Sequence, residues 1–92
     1  MPKTALITGA SSGIGLELAR LFARDKFDLA LVARDEKKLT EIAKQLEQTH
    51  GVVVQVIALD LSEPSAPFEL FKKTESLGLR IDALVNKAGF GI

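Results

Sequence analysis

Gly9, Gly13 and Gly15 are spaced G-x-x-x-G-x-G within Thr8-Gly9-Ala10-Ser11-Ser12-Gly13-Ile14-Gly15, and this is the stretch of the chain best suited to chemistry. The chemistry is phosphate binding. Gly9 lets the chain leave a strand in a tight turn, Gly13 lets backbone approach a phosphate with no Cβ in the way, and Gly15 lets a helix lie close to a sheet. Unpaired N–H groups at a helix start, at the positive end of its dipole, favour an anion. Ser11 and Ser12 add hydroxyls. No His or Lys is placed by sequence to activate either as a nucleophile, so hydrogen bonding beside the phosphate is the role that suits them. No Lys-Ser/Thr follows the last glycine, which excludes the P-loop. A tight strand-to-helix turn without a ligand is the competing reading.

The rest of the composition narrows the class. Ninety-two residues, 47% of them apolar, suffice for one small domain and not for two. Twelve basic residues balance twelve acidic ones without a basic run, which argues against nucleic acid or an anionic membrane as partner. Without Cys there is no disulfide, thiolate zinc site or thiol nucleophile. One histidine, His50, makes no metal site by itself, and its place near Gly51 suits it to complement a helix dipole. No apolar stretch approaches the roughly 18 residues of a membrane span, and no signal peptide is visible. The cytoplasm is the expected location.

Short β-branched and aliphatic runs alternate with segments of helical period, the pattern of an α/β domain with a parallel sheet. Strands are expected at Thr4 to Thr8, Asp28 to Val32, Val52 to Leu59 and Ile81 to Val85. The first helix follows the glycine loop, with Ile14, Leu18, Leu21 and Phe22 as its apolar stripe. The second carries Leu39, Ile42, Ala43 and Leu46, with Asp35 suited to cap it and Gly51 to end it. The third is expected to open at Ser62 and Pro64 and to turn Phe68 and Phe71 toward the core. Right-handed crossovers place the first two helices on one face and the third on the other, which predicts a doubly wound parallel sheet of order 3-2-1-4. A topological switch point then falls between strands one and four, where ligands bind beyond the carboxyl ends of the strands. Gly9 to Gly15 and Gly89 to Gly91 both map there.

Thr8 to Gly15 matches throughout the T-G-x-x-x-G-I-G loop of the short-chain dehydrogenases/reductases, which the chain resembles over essentially all 92 residues. The resemblance implies a Rossmann-like fold, truncated, with residues 1–92 as its N-terminal dinucleotide-binding portion. It also implies that Thr8, Ile14 and the loop glycines contact cofactor, and that Asp60 and Leu61 sit beside the adenine ring. Asn86, Ala88 and Gly89 occupy the place of the family's N-N-A-G motif. Lys87 departs from that motif by replacing its second Asn, which in the family helps hold the central strands together. A cation there either loosens the strand-four end or points at cofactor phosphate. Asp60 also has a second reading, as the cap of the turn after strand three.

The end of strand two selects the cofactor. An acidic residue there accepts hydrogen bonds from the ribose 2′-OH of NAD and repels the 2′-phosphate of NADP. Here Ala33 holds that position and Arg34 follows, its planar fork suited to a bidentate phosphate contact. The pair favours NADP(H) over NAD(H), the alternative being a solvated Arg34. Asp35 opposes a phosphate by its charge unless its carboxylate caps the second helix.

Family members reduce carbonyls or oxidise alcohols by hydride transfer, with a Tyr as proton donor or acceptor, a Lys lowering its pKa and a Ser on the carbonyl oxygen. The 92 residues contain no Tyr. The expected function is therefore the NADP(H)-binding part of such an oxidoreductase. The alternatives are a stand-alone binding or regulatory module, or a non-functional remnant. Strand four, apolar yet at an edge, is expected to be sticky and to favour association there.

Overall fold

The computed structural model describes residues 3–11 and 13–85. Its elements run β1 (Thr4–Thr8), α1 (Gly13–Arg24), β2 (Asp28–Ala33), α2 (Glu36–His50), β3 (Val54–Ala58), α3 (Ala66–Ser76) and β4 (Ala83–Val85). The four strands form one parallel sheet of order β3-β2-β1-β4, the α/β topology expected from right-handed crossovers. Ile7 lies in register with Leu31 on one side and Val85 on the other. Among the described residues no helix is long and apolar enough to cross a membrane.

One face of the sheet packs Ala5, Ile7, Leu29 and Leu31 against α1 and α2. Leu39, Ile42, Ala43 and Leu46 of α2 are all buried there, as their spacing predicts. Asp35 caps the helix by accepting a 3.0 Å bond from the Lys38 N–H, and Gly51 ends it with φ 71°. The expected stripe of α1 needs correction. Ile14 is 61% exposed and Leu21 is exposed, Leu18 and Phe22 are half-buried, and the buried positions are Gly15, Ala19 and Ala23. A helix drawn close to a sheet must put its smallest residues on the contact line, one turn apart, so the larger apolar groups are displaced to its flanks.

The other face buries Leu6, Ala30, Val32 and Ile57 beneath Ala66 and Leu70 of α3. Two expectations fail at α3. The helix starts at Ala66 rather than near Ser62 and Pro64, because Asp60 Oδ1 accepts bonds from the Ser62 N–H (3.0 Å) and hydroxyl (2.6 Å) and holds this segment in a turn. Phe68 and Phe71 are 65% and 59% exposed instead of facing the core. Phe68 lies two residues from both Ala66 and Leu70, a separation that puts it on the opposite side of the helix. The strands also begin later than expected, at Val54 and Ala83. Just before them, Asp28 Oδ1 accepts the Val53 N–H (2.9 Å), and Asp82 exchanges bonds with the Thr4 backbone.

The end of α1 shows how a helix closes without glycine. Lys26 N–H donates to the Ala23 carbonyl and Phe27 N–H to that of Phe22, both at 2.9 Å, with Lys26 at φ 67°. This is a Schellman closure, and its accompanying apolar contact is the edge-on pair of Phe22 and Phe27, ring centroids 4.9 Å apart. The Lys26 amine reaches across to the His50 carbonyl in the last turn of α2 (2.6 Å).

Candidate cofactor site

The loops leaving the carboxyl ends of β1, β2 and β3 converge on a cleft of about 420 Å³. Gly9 and Ser11 enter it from the first loop, Ala33, Arg34 and Asp35 from the second, and Leu59 to Ser62 from the third. Backbone bonds set these loops against one another. The last carbonyls of β2 accept from both neighbours: Val32 from the Ala10 N–H at 3.4 Å and Ala33 from the Leu59 N–H at 2.9 Å. Thr8, fully buried at the end of β1, donates its hydroxyl to the Val85 carbonyl at 3.2 Å, tying the start of the glycine loop to β4.

The glycines of the loop divide the work. A Cβ at Gly15 would overlap the Gly9 carbonyl oxygen and come within 2.9 Å of its carbon, so this position is small because helix and loop touch. At Gly13 a Cβ meets nothing within 4 Å, while φ is +60°. There the left-handed backbone favours glycine, and the space beside it is open. Ile14 stands exposed next to it in the first turn of α1.

Electrostatics separate the charges of the cleft. The Asp35 carboxylate is engaged at the N-terminus of α2. Asp60 is held below its ordinary pKa chiefly by the Ser62 hydroxyl, then by the Ser62 N–H; partial desolvation acts against this, and the charge of Arg34 adds a further downward pull. Asp60 thus does cap the turn after β3. Leu61 leans its side chain on the apolar cluster beneath α3 while lining the cleft. Arg34 is exposed, and among the described residues it makes no ion pair. Among the described residues that line the cleft, Arg34 is the one cation.

The structure therefore brings Gly9, Ser11, Arg34, Asp60 and Leu61 together, with Gly13 and Gly15 shaping the loop above. Ser12, Asn86, Ala88 and Gly89, and with them Lys87 and Gly91, lie outside the described residues. Ser62 is absent from the site residues expected from sequence, yet it lines the cleft and holds Asp60. The Asp-x-Ser spacing of an Asx turn is the signal that points to it. A second cleft, about 490 Å³ between β3 and α3, is lined by Ile57 to Leu59, Glu69, Lys72, Lys73 and Ser76 and lies beside the sheet's outer edge.

This arrangement has close counterparts. The sequence model of the short chain dehydrogenase family matches residues 3–92. An uncharacterized oxidoreductase of Staphylococcus saprophyticus is 39% identical over 87 residues, covering 95% of this chain and 37% of its own. The very-long-chain 3-oxoacyl-CoA reductase-A of Danio rerio is 39% identical over 89 residues, 95% of this chain and 27% of its own. Among solved structures, L-sorbose reductase from Gluconobacter frateurii, complexed with NADPH and L-sorbose, superposes with a TM-score of 0.89 at 40% identity over 99% of this chain and 35% of its own. A short-chain dehydrogenase from Sphingobium yanoikuyae in complex with NADPH gives 0.85 at 43% identity over 97% and 34%. The chain spans about a third of the length of these relatives and matches their N-terminal part. With the loop, the sheet order and the match over residues 3–92 in agreement, the chain belongs to the short-chain dehydrogenase family.

Proposed function

We propose that the chain is the NADP(H)-binding part of an oxidoreductase that interconverts carbonyls and alcohols. The observation that carries this is the end of β2: Ala33 and an exposed Arg34, which makes no ion pair among the described residues, line the same cleft as the glycine loop, and the neighbouring Asp35 carboxylate is engaged with its helix. An anion at the ribose 2′ position would meet a cation there and no free carboxylate from this segment. The NADPH complexes of the sorbose reductase and of the Sphingobium enzyme support the reading.

Bound in this cleft, the nicotinamide dinucleotide supplies a hydride to a carbonyl carbon. The chain's own residues bind and orient it. The N–H groups of the glycine loop would hold the pyrophosphate, with the Ser11 hydroxyl beside it, and the resemblance assigns Ser12, outside the described residues, to the same group. Arg34 would hold the 2′-phosphate, and Asp60 and Leu61 would border the adenine; the family resemblance assigns Asn86, Ala88 and Gly89, which lie outside the described residues, to the same cofactor. The alkoxide left by hydride transfer needs a proton, and the 92 residues include no Tyr to give one. Binding without turnover is the activity expected of these residues alone, and it is also what a stand-alone binding module would show.

Titration with NADPH and NADH tests the proposal. Arg34→Ala should weaken NADPH by roughly ten- to a hundredfold, the worth of a charge-assisted bond of about 1.5–3 kcal/mol, and leave NADH unchanged. Equal affinity for the two in the unaltered chain would overturn the preference.

A further inference from the structure

The pairing of β3 with β2 fixes which of its backbone groups look outward. Leu29 N–H donates to the Val53 carbonyl and Leu59 N–H to the Ala33 carbonyl, both at 2.9 Å, while Leu29 stands opposite Val54 and Ala33 opposite Ala58. Bonding alternates along a parallel strand, so Val53, Gln55, Ile57 and Leu59 turn their backbone groups to β2. Val54, Val56 and Ala58 turn theirs to the sheet's edge, where β3 is the last strand. Glu47 agrees with this parity: reaching round from α2, its Oε2 accepts the Val54 N–H at 3.0 Å. Among the described residues nothing accepts from the N–H groups of Val56 and Ala58.

The cleft of about 490 Å³ between β3 and α3 opens along this same stretch. Ile57 and Leu59 floor it, and both belong to the apolar cluster beneath α3. Lys72 and Lys73 overhang it with Glu69, two cations against one carboxylate. Neither lysine makes an ion pair among the described residues, and the Lys72 ammonium rests over the Phe68 ring, 5.3 Å from its centroid. The edge and the cleft thus combine open backbone groups, an apolar floor and a net positive rim, at the side of the sheet opposite β4.

We infer that they form a docking surface for an extended acidic segment of a partner protein, which adds as a strand beside β3. Backbone bonds to Val56 and Ala58 would carry the pairing, as in other strand additions to a sheet edge. Side chains alternate across a strand, so one set enters the cleft, where carboxylates meet Lys72 and Lys73, and the other continues the layer of Val54 and Val56. The segment recognised is therefore one in which acidic and aliphatic residues alternate. A second copy of this chain suits the surface less well: two-fold pairing of β3 with itself keeps both α3 helices on one face and sets four lysines against two glutamates along the seam.

The test adds to the 92-residue chain a blocked heptapeptide alternating glutamate and valine, and follows amide hydrogen exchange residue by residue. Saturating peptide should slow Val56 and Ala58 by about tenfold or more and leave Gln55 and Ile57, already bonded to β2, unchanged. Lys72→Glu/Lys73→Glu should abolish this protection and transfer it to the counterpart peptide with lysine in place of glutamate, a gain that only a folded variant can show. Ala58→Pro removes one outward donor and leaves the ladder to β2 intact, so it should weaken the effect of both peptides. No slowing at Val56 and Ala58, slowing spread equally over Gln55 and Ile57, or equal protection of the unaltered chain by the two peptides overturns the inference. So does slowing that rises with protein concentration in the absence of peptide, which would assign the edge to a second copy.

Discussion

The two faces of the sheet are built from equally apolar strands and finished to different degrees. On one, Ile7, Leu29 and Leu31 lie under two helices: α1 presses close through Gly15, Ala19 and Ala23, and α2 adds Leu39, Ile42 and Leu46. On the other, Leu6, Ala30, Val32 and Ile57 share one helix, which meets them mainly through Leu70 and leaves Phe68, Phe71 and Leu84 in solvent. Apolar periodicity records that a side chain is made to be covered. It does not say which of those side chains the packing reaches.

The largest effect that sharpens this contrast is in the closed face. Leu31→Ala should lose about 3–5 kcal/mol in urea unfolding, since a fully buried leucine leaves a cavity. Leu84→Ala, on the open face, should stay within about 0.5 kcal/mol. Comparable losses would show that the two faces are equally packed and break the comparison.

Next in size is the contact that draws α1 down. Gly15→Ala puts a methyl into the Gly9 backbone, an overpacking of about 1–3 kcal/mol, and the shifted loop should also weaken dinucleotide binding. A variant as stable and as tightly binding as the parent would mean that helix and loop are not in contact.

Smaller again is the helix end closed by Lys26. A non-glycine left-handed residue carries about 1 kcal/mol of strain or more, partly offset here by its bond to the His50 carbonyl. Lys26→Gly should raise stability by about 0.5 kcal/mol, whereas Gly51→Ala at the matching end of α2 should lower it by about 1 kcal/mol. Destabilisation by both would show that the lysine amine outweighs the backbone strain in holding the end of α1.

The smallest effect is acid-dependent and belongs to the Asp60 turn. Because the folded pKa is depressed, its stabilisation is present above the ordinary Asp pKa of about 3.9 and is lost as pH falls through the lower folded value. Ser62→Ala removes the hydroxyl bond that is the largest cause of the shift. The stability difference between parent and variant should shrink on acidification below pH 4; a difference constant with pH would remove Asp60 from the account.

Much of the fold was legible because period and punctuation agree. Asp35, the Leu39 to Leu46 stripe and Gly51 each specify the same helix by independent local chemistry, and the order 3-2-1-4 follows from chirality alone. The misreadings cluster where apolar spacing admits two faces. In α1 the stripe of large residues competes with Gly15, Ala19 and Ala23, and closeness of approach favours the small ones. In α3 the Asp60 turn delays the start, and burial of Ala66 and Leu70 leaves Phe68 on the opposite side of the helix. In the cleft, Arg34 and the loop glycines were readable as residue types, while Ser62 acquires its place through a bond to its neighbour's side chain.

By itself the sequence determined the family and the element order, since these depend on local conformational preference, residue type and spacing. Only the tertiary structure decided which glycine is small for packing and which borders open space, that Asp35 is engaged while Arg34 is exposed and makes no ion pair among the described residues, and that Phe68, Phe71 and Leu84 are exposed. Those outcomes depend on distances between segments remote along the chain. Covering one face against α1 and α2 sets where β4 and α3 lie, and their exposed sides are what that packing leaves over.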